Sequence, residues 1–385
     1  MKPLFIFIFL VGSLTCFGQA RFDTVYTNLP NQTPTILFCE STLCSWIGYL
    51  YEGSNCRTIS QQMSYEGELL NVNNRIIPDT LNCHLGIREY SVSKVADNKY
   101  SFVAINYLKR FVVDDFCYYS PIKNEIQTLF SVSRPSELIT GFSRLYSVND
   151  SNFILIEYEV VEWPRFSSLI KLALLDSNFK VLRSKKHIAD YERAPFFVDF
   201  SNPRTIKIIT EKLNEDFSMS QIEFFEFDSN FEIIESKIID LNLRLRDNGI
   251  TKDSDGNYII AADSFYSVGV NSGIYSINNN FNKINWRIEL DKSLIPKGAK
   301  YYGNRVISSA DSSVFYAIGN VAYGLYEAHF MSYLIKFNAK GEVLWTKFYK
   351  PKDFASSNIQ NQSFTDACLV NDNRILIIGY IRDKE

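Results

Sequence analysis

The sequence predicts an all-β protein, a seven-bladed β-propeller of four-stranded antiparallel blades whose last blade is closed by the N-terminal strand. Three observations carry this prediction. A β-hairpin signal recurs about every fifty residues, a second hairpin type is interleaved with it, and helical periodicity is almost absent. Self-similarity at a fixed period marks a repeat architecture. Two hairpins per period give a four-stranded unit, and such units arranged radially make propeller blades.

The chain opens with Lys2, an unbroken apolar run from Leu4 to Val11, and small residues at Gly18-Gln19-Ala20. That order is the pattern of an export signal cleaved after Ala20, and the apolar run is too short to span about 30 Å of hydrocarbon. The expected organisation is therefore residues 1–20 as signal peptide and 21–385 as one propeller domain, secreted or held at the cell surface. Phe22–Thr27 (FDTVYT) is a lone strand pattern without a hairpin partner nearby. It is expected to return to the seventh blade and pair beside Ile375–Tyr380, because an open blade would expose unpaired strand edges. The alternative is that a further hairpin follows Glu385.

The first hairpin type reads as apolar strand, polar turn and apolar strand. It occurs as VADNKYSFVAI at Asp97, VNDSNFILIEY at Asp150, KDSDGNYIIAA at Asp255, SADSSVFYAIG at Asp311 and VNDNRILIIGY at Asp372. Weaker copies are STLCSWIGY from Ser41 and FSNPRTIKII at Asn202, so the steps are 56, 53, 52, 53, 56 and 61 residues. The 365 residues after Ala20, divided among seven copies, give roughly 52 each, matching those steps. A single domain of this length suits a propeller, since each blade extends the core without thickening it.

The second type reads LLDSNFKVLRSK at Asp176, EFDSNFEIIESK at Asp228, INNNFNKINWRI at Asn278 and KFNAKGEVLWTK at Asn338, with fainter copies at Asn71 and Pro121. Three residues after these anchors stand Phe179, Phe231, Phe281, Gly341, Asn74 and Asn124. Gly and Asn suit a positive-φ turn position, whereas Phe does not. The three Phe turns are therefore expected to bend one residue earlier, at Asn178, Asn230 and Asn280.

A net charge of −3 with both signs mixed along the chain argues against a nucleic-acid partner, which needs a concentrated basic face. Six cysteines follow the signal: Cys39, Cys44, Cys56, Cys83, Cys117 and Cys368. An even count in an exported chain permits disulfides, with 15 pairings open to six cysteines. Cys39, Cys44, Cys56 and Cys83 are the disulfide candidates, and Cys39 and Cys44, which flank one turn, are expected to face each other across adjacent strands. Cys56 and Cys83 are expected in loops bounding the second hairpin of the first blade, and Cys117 and Cys368 as buried thiols. Zinc binding is not expected, since none of the three histidines, His84, His187 and His329, sits near paired cysteines at ligand spacing.

The passages DSDGNYIIAADSF, SYLIKFNAKGEVLWTKFYK and NDNRILIIGYI resemble repeat units of secreted bacterial β-propeller-like proteins associated with type IX secretion. The resemblance covers most of the chain after Ala20 and implies shape and location more than chemistry. Members of that group often carry a C-terminal sorting domain, and none is expected within residues 21–385.

Chemistry is weakly marked. Asp253-Ser254-Asp255-Gly256-Asn257 alternates oxygens like a calcium loop, but Gly256 falls two positions early, so a plain turn is expected. A polysaccharide hydrolase or lyase would need two carboxylates within about 5 to 10 Å. Candidates are Glu157, Glu159 and Glu162 beside Trp163, with Asp114 and Asp115 on opposite faces of a strand. Trp163, Tyr301 and Tyr302 are the aromatic candidates for stacking on a ligand. The leading expectation is a monomeric, non-enzymatic scaffold without cofactor, binding a protein or glycan at the cell exterior through loops on one face. The rival is a secreted hydrolase or lyase with a carboxylate pair at the channel mouth.

Overall fold

A computed structural model describes residues 5–12, 24–26, 32–40, 43–52, 55–64, 70, 75–76, 86–87, 93–96, 98–108, 111–123, 125–135, 141–149, 151–160, 167–190, 197–202, 204–213, 220–241, 243–264, 273–290, 299–323, 329–349, 359–370 and 374–383. Every regular element among them is a β-strand, and the sheets are arranged as a β-propeller. No helix there is long and apolar enough to cross a membrane.

Two N-terminal strands, β1 (Phe5–Gly12) and β2 (Thr24–Tyr26), precede the repeats. The first sheet holds β3 (Gln32–Cys39), β4 (Cys44–Glu52), β5 (Asn55–Met63) and β6 (Arg75–Ile76). The second holds β7 (Gly86–Ile87), β8 (Ser93–Ala96), β9 (Lys99–Leu108), β10 (Phe111–Ser120) and β11 (Glu125–Pro135), with β7 and β8 both on β9. Next come β12 (Gly141–Asn149), β13 (Asn152–Val160), β14 (Ser167–Leu175) and β15 (Val181–Asp190). The fourth sheet is β16 (Phe197–Asp199), β17 (Thr205–Leu213), β18 (Ser220–Asp228) and β19 (Ile233–Ile239). The fifth is β20 (Leu243–Lys252), β21 (Tyr258–Ser264), β22 (Gly273–Ile277) and β23 (Ile284–Glu289).

The sixth sheet has eight strands. One half is β24 (Lys300–Ser308), β25 (Val314–Tyr323), β26 (His329–Asn338) and β27 (Val343–Tyr349). The other is β28 (Ile359–Val370), β29 (Arg374–Asp383), β1 and β2. A single parallel bridge, Phe330 to Asn361, joins the halves.

The closing strand differs from the expectation. Thr24–Tyr26 lies in the last sheet, yet it pairs with Ile6–Ile8 of β1 and not with Ile375–Tyr380. β1 takes that place, in register with β29 from Phe5↔Ile381 to Gly12↔Arg374. Eight paired residues offer more ladder hydrogen bonding than three.

The core is distributed between sheets. Seven clusters of buried apolar residues each draw on neighbouring four-stranded units. One joins Ile36 and Phe38 to Phe102 and Tyr119, another Phe224 to Tyr258 and Phe281, and a third Leu37 and Trp46 to Leu376 and Ile378. That third cluster packs the last sheet onto the first. Alternation puts one face of each strand into such a seam.

The outer hairpin turns are built by their anchors. Asp228 Oδ1 accepts the N–H groups of Asn230 and Glu232, both at 2.8 Å, and Asp228 O accepts Phe231 N–H at 3.0 Å. Asp176 and Asn338 repeat this arrangement, while Asn278 Oδ1 accepts Asn282 and Lys283 N–H. The bend, however, lies where a Phe was expected to forbid it: Phe179, Phe231 and Phe281 have φ of 61°, 64° and 52°, and Gly341 has 82°. Packing overrides the backbone preference. The Phe231 and Phe281 rings are 1% exposed, and Phe281 stacks on Phe224 of the preceding sheet with centroids 5.1 Å apart. At Gly341 the same space is filled from the other side, for an added Cβ would stand 2.6 Å from the Trp286 ring.

Candidate functional site

Antiparallel connectivity sorts the connections into two faces. In the third, fourth and fifth sheets and in the β24–β27 half of the sixth, short turns join first to second and third to fourth strands at one end. The second strands of these units end, and their third strands begin, at the other. Residues 161–166, 265–272 and 350–358, Glu162 and Trp163 among them, lie outside the described residues.

Polar side chains near this second face lock each sheet to the next. Glu211 near the end of β17 accepts Leu245 N–H (3.1 Å), and Asp263 in β21 accepts Gly303 N–H (2.5 Å). Asn320 in β25 accepts Phe364 N–H (2.9 Å) and donates to Phe364 O (3.1 Å) and Ser363 Oγ (2.8 Å). The acceptors meet irregular backbone: the first strands shift register between Leu245 and Ile250, Gly303 and Arg305, Phe364 and Asp366, and Pro34 and Ile36. A bulge releases an N–H from the ladder. A buried N–H needs a partner, and the neighbouring sheet supplies one.

At the join between last and first sheets the latch involves three units. Asp366, 2% exposed on β28, accepts Leu37 N–H through Oδ2 (2.8 Å) and pairs through Oδ1 with Arg305 of β24. Two residues further on, Cys368 is disulfide-bonded to Cys39, with Cα atoms 6.4 Å apart. A depression of about 250 Å³ between β20 and β24 is lined by Ile250, Thr251 and Arg305–Ser308. It is smaller than pockets that enclose a drug-sized ligand, roughly 300 Å³ and above.

The expected site residues fare unequally. Tyr301 is buried, 3% exposed and edge-to-face with Tyr333 at 6.1 Å, so it is core and offers no stacking surface. The strand begins at Lys300, which turns Tyr301 into the seam and leaves Tyr302 half-buried on the opposite face. The Tyr333 hydroxyl donates to Tyr302 O (3.3 Å), and burial holds that phenol well above its ordinary range. Glu157 is buried in an ion pair with Lys171, its cross-strand neighbour. Glu159, Asp114 and Asp115 lie in strands, without described side chains. Asp253 Oδ1 accepts the N–H groups of Asp255 (3.0 Å) and Asn257 (2.8 Å), and Oδ2 accepts Asn257 Nδ2 (2.9 Å). Its oxygens thus build a turn, as expected. His187 Nε2 lies 2.8 Å from Phe231 O, and burial leads the causes that lower its pKa.

The cysteines require corrections. Cys39 and Cys44 are directly opposite in β3 and β4, as expected, but Cys39 is bonded to Cys368, so Cys368 is not the thiol expected of it, and Cys44 is a buried free thiol. Sequence spacing reports neighbours within a hairpin and is blind to a strand 329 positions away. Cys117 is a buried thiol, as expected. Cys56 sits in β5 and not in a loop, because the Asn55–Met63 strand starts one residue before it. Cys83 lies outside the described residues. Sequence reasoning missed Asp366, Arg305, Asn320 and Asp263. A signal was present: a polar residue interrupts the apolar second strand in Ile-Ile-Thr-Glu211, Ile-Ala-Ala-Asp263 and Ile-Gly-Asn320.

No family model matches the chain, and no curated protein is similar to it. Solved structures do resemble it. Pyrococcus horikoshii acylaminoacyl peptidase matches 90% of this chain at 7% identity and a TM-score of 0.47, and this chain spans about half (51%) of that one. The β-propeller domain of the trilobed protease from Pyrococcus furiosus, described as having an open velcro topology, matches 93% of this chain and 96% of its own at 10% identity and a TM-score of 0.45. A variant of Synechocystis apocarotenoid oxygenase matches 82% of this chain and 71% of its own, at 8% identity and a TM-score of 0.49.

Proposed function

We propose that the chain is an exported seven-bladed propeller serving as a monomeric, non-enzymatic scaffold that binds a protein or glycan through the face carrying the long connections. The observation that carries the reading is the use made of polar groups near that face. Glu211, Asp263, Asn320 and Asp366 are engaged by backbone N–H groups or Arg305 of adjacent sheets, so they serve to fix the ring. Rigid scaffolds with variable loops are where such folds carry recognition.

Seven blades are supported by the seven inter-unit apolar clusters, with the eight-stranded sheet counted as two blades held by one bridge. Export is supported by the charge and hydropathy order of residues 1–20 and by the seam disulfide, which suits an oxidising compartment. Removing residues 1–20 withdraws β1 and leaves Phe22–Thr27 as the nearest strand to close β29. Tyr302 is half-buried near the start of β24, at the end of the sheet where second strands finish.

The test is a glycan and surface-protein array probed with residues 21–385, run beside a polysaccharide activity screen. Saturable binding that falls about tenfold or more in Tyr302→Ala, while the melting temperature holds, is the expected result. Turnover of any polymer, abolished by one acidic substitution, would overturn the reading in favour of a hydrolase or lyase.

A further inference from the structure

Three sulfurs meet where the ring closes. The Sγ atoms of Cys39, Cys44 and Cys368 all lie within 4.8 Å of one another, and two of them form the bond that ties β3 to β28. Cys44 stands directly opposite Cys39 across the hairpin. Glu40 N–H donates to Leu43 O at 3.0 Å, so Glu40 and Leu43 form a hydrogen-bonded pair, and the next pair, Cys39 and Cys44, is the non-hydrogen-bonded kind. Cα atoms in such pairs approach to about 4.5 Å, at the near end of disulfide reach. Cys39 therefore has two partners within reach: one in the neighbouring unit, one in its own hairpin.

We infer that this trio is a closure latch, in which Cys44 displaces Cys368 from Cys39 when the seam between the first and last sheets opens. The Cys44 thiolate attacks Cys39 Sγ, the Cys39–Cys44 bond forms as the Cys39–Cys368 bond breaks, and Cys368 leaves as thiolate and takes up the proton that Cys44 released. No external oxidant or reductant is consumed. In the closed ring the exchange is held off. Cys44 is buried with Leu37, Trp46, Met63, Leu376 and Ile378, and that burial, with the Glu40 carboxylate second, holds the thiol far above its ordinary pKa. Exchange needs the thiolate, so water entering the seam is the trigger. The exchanged bond no longer links the sheets and leaves the ring covalently open.

The experiment uses the whole purified protein with its disulfide intact, incubated without added thiol in native buffer and in urea just below the unfolding transition. Each sample is acid-quenched, alkylated and mapped by peptide mass spectrometry. Native protein is expected to give Cys39–Cys368 with Cys44 unmodified. Urea-treated protein is expected to convert to Cys39–Cys44 with Cys368 alkylated, at a rate unchanged on dilution. Non-reducing electrophoresis follows the same event, since a loop closed over 329 positions migrates more compactly than a linear chain. Cys44→Ser should abolish conversion while keeping the native bond. Persistence of Cys39–Cys368 in opened wild-type protein, or conversion in Cys44→Ser through another cysteine, would overturn the proposal. Should Cys44→Ser fold poorly, Cys44→Ala read by the same gel serves as the second variant.

Discussion

A phenylalanine in the left-handed region of backbone space costs on the order of 1–3 kcal/mol, and Phe179, Phe231 and Phe281 all occupy it. Burial of the ring, worth about 1.5–3 kcal/mol, offsets that cost, and Arg183 lies over the Phe231 ring at 5.2 Å. Phe231→Ala keeps the strained turn and loses the ring, so it should destabilise by about 3–5 kcal/mol in urea titration. Gly341→Ala should cost about 1–3 kcal/mol, because it adds both the positive-φ penalty and a clash with Trp286. Asp311 offers a pH prediction. Side-chain hydrogen bonds from Ser309 and then Ser313 lower its pKa to about 2. Its folded-state pKa is depressed, so its contribution is complete above the ordinary carboxylate pKa of about 4 and is lost as pH falls through about 2. Titration of the Asp311 carboxyl by NMR should show that midpoint, moving up in Ser309→Ala.

At the scale of elements, the repeated device is a bulged first strand whose freed N–H is captured by the preceding sheet. Asp263→Ala should leave Gly303 N–H buried without an acceptor and cost about 1–3 kcal/mol, whereas Asp263→Asn retains an acceptor and should cost less. Chemical denaturation of the two variants distinguishes a lost hydrogen bond from lost packing. Nearer the tight turns, Asp199 of β16 takes Lys252 of β20 at 2.6 Å. Burial pushes the Asp199 carboxyl up, but the hydrogen bonds from Lys252 and Ser201 and the Lys252 charge outweigh it and leave the pKa below its ordinary value. The fourth and fifth sheets are thus joined at both ends by polar contacts flanking an apolar seam. Gly319 shows how tight the packing is, since a Cβ there would fall 2.4 Å from the Tyr333 hydroxyl.

For the whole molecule, the seam between last and first sheets decides whether a row of sheets is a ring. The apolar cluster around Trp46 and Leu376, the Asp366 latch and the Cys39–Cys368 bond all act there. A bridge across 329 positions restricts the unfolded chain more than a short-loop bridge does. Cys368→Ser should lower stability by about 2–5 kcal/mol, read as an earlier urea midpoint that reduction of wild type reproduces. The sequence alone determined the all-β class, the fifty-residue period and the turn anchors at Asp176, Asp228, Asn278 and Asn338. Those features depend on contacts between residues a few positions apart, and local spacing encodes them. Only the tertiary structure decided that Phe231 bends the wrong way for its type, that Tyr301 is core, that β1 stands beside β29, and that Cys39 bonds Cys368. Each of these depends on what a different sheet places next to the residue, and a period of two along one strand carries no information about its neighbour across the seam.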